Sequence, residues 1–122
     1  MHHEHEEAMR ADFTTRTDLT ARAYHDAVTD TQLDEIYTQT RAIDDRWGSG
    51  PHADQWQFLS DAHQDWRDRP DTMTRFLDNV EHNRAKGYDG GIDDVQRRSL
   101  YQARELTAPA STRRRGPIQR ER

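Results

Sequence analysis

The chemistry-bearing residues of this 122-residue chain fall into five groups. His2, His3 and His5 stand among Glu4, Glu6 and Glu7 at the N-terminus, an imidazole and carboxylate mixture of the kind that takes zinc, nickel or copper. On a mobile terminus such a set has no fixed geometry, so it is read as a solvated segment. His52 and His63 are three helical turns apart, which puts them on one face but about 16 Å apart along the axis, too far for one ion. Asp44, Asp45, Asp61, Asp65 and Asp68 form an acidic set with no calcium-loop spacing and no glycine where such a loop needs one. Arg97, Arg98 and Arg104, followed by Arg113, Arg114 and Arg115, could neutralise phosphates or contact an acidic partner.

The fifth group is Tyr24-His25-Asp26. Its adjacent His-Asp pair resembles that of the HD-type metal phosphohydrolases. That family draws further His and Asp ligands from other helices, and one dipeptide does not make its site. There is no cysteine, hence neither a disulfide nor a thiolate metal site. There is also no Gly-rich phosphate loop and no nucleophile elbow. Neither catalytic activity nor a cofactor or metal is expected.

The elements that must position these groups read as helices throughout, since no useful run of strand-type alternation occurs. Leu33, Ile36, Tyr37, Thr40, Ile43 and Trp47 fall at helical spacing, as do His52, Trp56, Leu59, His63 and Trp66 after Gly48-Ser49-Gly50-Pro51. This predicts an antiparallel helical hairpin closed by tryptophans, within an all-α bundle of four to five helices. The expected spans are Asp18 to Val28, capped by Thr17; Thr31 to Trp47, opened by a Thr31 capping box and ended by a left-handed Gly48; Pro51 to Arg69; Thr72 to Lys86; and Ile92 to Leu106. The expected core is Leu33, Ile36, Ile43, Trp47, Trp56, Leu59, Trp66, Phe76, Leu77 and Val80. Residues 1–11 are expected to be a flexible His/Glu-rich N-terminus, residues 12–106 one helical domain, and residues 107–122 a flexible basic tail.

The composition is lean in aliphatics: Val, Ile, Leu and Phe together number 16, less than the fifth of the chain a comfortable globule carries. Three Trp and four Tyr make up part of the deficit. A core this thin gains from a second surface, so a protein partner or a homodimer is expected, with Tyr24, Tyr37, Tyr88 and Tyr101 as its aromatic contacts. Charge is uneven: residues 1–106 hold 13 Lys+Arg against 22 Asp+Glu, residues 107–122 five Arg against one Glu. The acidic body could mimic nucleic acid and inhibit a protein that handles DNA or RNA, while the basic tail could contact nucleic acid itself. No membrane-spanning run or secretory start is present, so a cytoplasmic location is expected. Seventeen Arg against one Lys fits a GC-rich genome, and an accessory protein of a phage or plasmid of such a host is the expected setting. The expected role is a small, non-enzymatic adaptor.

Overall fold

A computed structural model describes residues 1–25, 27–88 and 91–108, which form five helices and, among the described residues, no strand. They are α1 (His3–Ala23), α2 (Asp30–Gly48), α3 (Ala53–Asp68), α4 (Pro70–Ala85) and α5 (Asp94–Thr107). The all-α class is therefore as expected. None of these helices is long and apolar enough to cross a membrane. The chain divides into two compact units, Met1–Gln57 and the residues from Phe58 onward. The expected tail lies outside the described residues beyond Ala108, and Thr107 is still in α5.

In the first unit, α1 and α2 lie side by side. Asp12 of α1 meets Arg46 and Trp47 of α2, and Arg16 meets Asp44, so the two run antiparallel. The expected frayed N-terminus is instead the first half of a 21-residue helix. Few apolar residues mark that half, which is why periodicity passes over it. Its charges support it instead: Glu4 and Glu6 sit in the first turn, His3 faces Glu7 at 3.3 Å, and Arg10 reaches Glu6 at 2.5 Å, both pairs one turn apart. Glu6 and Met9 are buried there, followed by Phe13 and Leu19. Thr17 and Asp18, expected to open the helix, lie well inside it.

The entry of α2 is two residues earlier than expected. Thr29, not Thr31, is the cap: its hydroxyl accepts from the Gln32 N–H at 3.1 Å, and the Gln32 side chain accepts from the Thr29 N–H at 2.9 Å. Thr29 and Gln32 stand three apart and satisfy the same reciprocal pattern. At the other end Gly48 is the last helical residue and does not adopt a positive φ. Trp47 and Trp56 stack across the Gly-Ser-Gly-Pro break, ring centres 6.1 Å apart and nearly parallel, and Phe13 meets Trp56 edge-on at 5.3 Å. With Ile36 and Ile43 these aromatics form the buried interior of the first unit; Leu33, expected in the core, is half-buried.

The second unit contains α4, α5 and most of α3. Pro70 occupies the first turn of α4, where its missing N–H costs nothing. Gly87 ends the helix at φ 89°: its N–H bonds to the Arg84 carbonyl at 3.0 Å, and the Tyr88 N–H reaches back to the Asn83 carbonyl at 2.8 Å. This is the paired 6→1 and 5→2 closure that a left-handed residue permits. Asp93 and Gln96 form a second reciprocal capping box at the start of α5. The buried residues are Leu59, Ala62, Trp66, Met73, Leu77, Val80, Ser99, Leu100 and Ala103. Phe76, expected among them, is 40% exposed. Met73, Leu77 and Val80 keep the four-and-three spacing of one face, and Phe76 stands about 100° around the helix from Leu77.

Candidate protein-interaction site

The second unit leaves an apolar groove of about 420 Å³. Phe58 and Ala62 come from α3, Met73 and Phe76 from α4, and Leu100 from α5, with Asp61, Asp65 and Thr72 completing the lining. Ala62, Met73 and Leu100 are buried and Phe58 is half-buried, while Phe76 stands exposed at one wall. On the α3 side the wall is acidic: Asp61 is exposed and Asp65 is half-buried, bonded to Arg69 at 2.5 Å. A larger depression of about 480 Å³ in the first unit is lined by a mixture of side chains, with Arg22, His25, Gln32, Glu35 and Gln39 beside Ala27, Val28 and Ile36.

The four tyrosines are divided between the units. Tyr24 is 82% exposed at the end of α1, and Tyr37 is exposed on α2. In the second unit, Tyr88 is exposed beyond α4. Tyr101 is half-buried and differs from the other three in being tied into a polar network. Its hydroxyl donates to Glu81 of α4, Arg97 of α5 stands 3.5 Å from the same carboxylate, and Arg104 lies 5.0 Å over the tyrosine ring. The Tyr101 hydrogen bond, aided by Arg97 against the cost of burial, holds the Glu81 carboxyl below its ordinary value. The same bond, together with burial, pushes the Tyr101 phenol up.

This network crosslinks α4 and α5, and it fixes a prediction. Tyr101→Phe should cost about 1–2 kcal/mol, the net worth of one partly exposed hydrogen bond to a charged carboxylate. Glu81 favours the folded state above its unfolded value of 4.5, and that contribution disappears as pH falls through the lowered folded value. Tyr101 contributes below its unfolded value of 10.0 and ceases to as pH rises through the raised folded value. Urea melts across pH should show both flanks diminished in Tyr101→Phe, with the Glu81 carboxyl carbon titrating closer to an ordinary glutamate by NMR.

The remaining candidates do not come together in one site. Arg97 is half-buried between Glu81 and Asp94, and Arg98 and Arg104 are exposed; Arg113, Arg114 and Arg115 lie outside the described residues. Asp44 pairs with Arg16 at 2.6 Å, and Asp68 accepts from Gln64 at 3.1 Å, so the acidic set is divided among separate contacts. The His25 ring accepts from the Ala27 N–H at 3.3 Å and closes the turn after α1, and Asp26 lies outside the described residues. Among the described residues no three His, Asp or Glu side chains stand ready to hold a metal ion.

Neither a protein-family model, nor a curated protein, nor a solved structure matches this chain.

Proposed function

We propose that this chain is a non-enzymatic helical interaction protein whose second unit receives a large apolar side chain of a protein partner. The observation that carries this reading is the groove of Phe58, Met73, Phe76 and Leu100. A chain with only three Phe leaves one of them 40% exposed beside a buried apolar floor. A contiguous apolar recess with a polar rim is the usual form of an anchor site. The acids of the rim favour an anchor flanked by Lys or Arg.

The test compares the wild-type protein with Phe76→Asp as bait in extract of the source organism. Because Phe76 is 40% exposed, the variant should melt within about 1–2 kcal/mol of wild type and remain folded. A partner retained by wild type in high salt and lost by Phe76→Asp supports the reading. The same proteins captured by both baits overturn it. Light scattering across a hundredfold dilution shows whether the partner is a second copy.

A different observation favours a second reading. Residues 1–57 carry twelve Asp+Glu against five Arg, so most of the negative charge lies in the first unit. An acidic helical pair of this kind supports the mimic reading, in which it occupies a basic groove of a DNA- or RNA-handling protein. Such a partner would be released by salt and would be indifferent to Phe76→Asp.

A further inference from the structure

Two histidine sets that are separate in sequence converge in the first unit. Because α1 extends back to His3 and runs antiparallel to α2, its N-terminal turn is carried to the end of α2 and the break that follows it. The His5 and His52 rings consequently lie 5.0 Å apart, inclined at 43°. His2 is 5.8 Å from His5, and Trp47 lies 6.1 Å from the His52 ring. His52 is thus seated against the tryptophan stack, whereas His2 and His5 are exposed and free to turn. His3 points elsewhere on the helix, toward Glu7.

We infer that His5 and His52, with His2 as a third donor, form a binding site for a late first-row transition-metal ion such as zinc. Two imidazoles on one tetrahedral ion, each nitrogen about 2.0–2.1 Å from it, hold their ring centres roughly 5 Å apart, which is the spacing found here. Neutral imidazole is a good ligand for this group of metals. The three side chains do not yet stand in coordinating position, so binding requires His5 and His2 to rotate about exposed side-chain bonds, and water fills the remaining positions. Such a site is moderate in affinity. Its consequence is structural, because the ion joins the first turn of α1 to the residue that precedes α3 and binds the folded unit in preference to the unfolded chain.

The test is titration of the full chain with zinc chloride, followed by calorimetry and by thermal melting. One ion per chain and a rise in melting temperature are expected. His52→Ala and His5→Ala should each weaken binding by at least about tenfold, since each removes one of the convergent ligands. His3→Ala should leave it within about twofold, because that ring is directed away. Since His5 is exposed, His5→Ala tests the site even if His52→Ala perturbs the tryptophan stack. No heat and no melting shift at millimolar zinc would overturn the inference. So would full binding in both His52→Ala and His5→Ala, which would assign the metal to a loose N-terminal chelate instead.

Discussion

Trp47→Ala is expected to cost about 3–5 kcal/mol and to unfold the first unit in mild urea. The side chain is 8% exposed, so nearly all of a large ring leaves the interior. Its partner Trp56 loses a stacked neighbour and keeps the edge-on contact with Phe13. The loss is polar as well. The indole N–H donates to Asp12 at 2.7 Å, and the same oxygen accepts from Arg46 at 2.6 Å. One carboxylate of α1 therefore fastens two consecutive residues of α2. Total stability of a small domain is about 5–15 kcal/mol, and this unit has few aliphatic residues to fall back on. Trp47→Phe should recover most of the loss and leave only the missing hydrogen bond, about 1–2 kcal/mol. Equilibrium unfolding followed by circular dichroism checks both. Wild-type melting of Trp47→Ala would show that the aromatic stack is not what holds the unit.

The contrast between Trp47 and Met9 shows what the sequence makes legible. Trp47 stands at the end of a stripe that begins near Leu33, and periodicity places such a residue inward whatever it packs against. Met9 is fully buried, yet its neighbours are Glu, His, Arg and Ala, and no stripe announces it. The helix around it is sustained by charge spacing within one turn, a signal that also suits a solvated segment. The capping of α2 was legible in kind but not in register, because Thr29 and Thr31 are both able to open a helix and only the following side chains decide between them. The site was harder still. His5 and His52 are 47 positions apart, and their approach depends on α1 starting at His3. The groove depends on Phe76 facing outward, which the hydrophobic pattern alone opposes.

The second unit turns on Leu100, which local pattern also conceals. Before and along α5, Ile92, Val95, Ser99, Ala103 and Leu106 fall at helical spacing and suggest an inner stripe, but the buried set is Ser99, Leu100 and Ala103, while Ile92, Val95 and Leu106 are half-buried. The inward face is therefore rotated toward Leu100, and the small Ser99 and Ala103 beside it leave Leu100 as the one large side chain of α5 that is fully buried. Leu100→Ala should accordingly cost about 2–5 kcal/mol, combining lost transfer energy with a cavity that small neighbours cannot fill. Phe76→Ala, which lines the same groove from an exposed position, should cost under about 1 kcal/mol. The two variants separate the roles of the groove: Leu100 belongs to its floor and to the fold, Phe76 to its rim and to what it binds. Urea midpoints for the pair, read alongside partner capture, test this division. Capture lost in Phe76→Ala at unchanged stability assigns the rim to recognition. Equal destabilisation by both substitutions would mean that Phe76 is part of the core in solution and that the groove is closed.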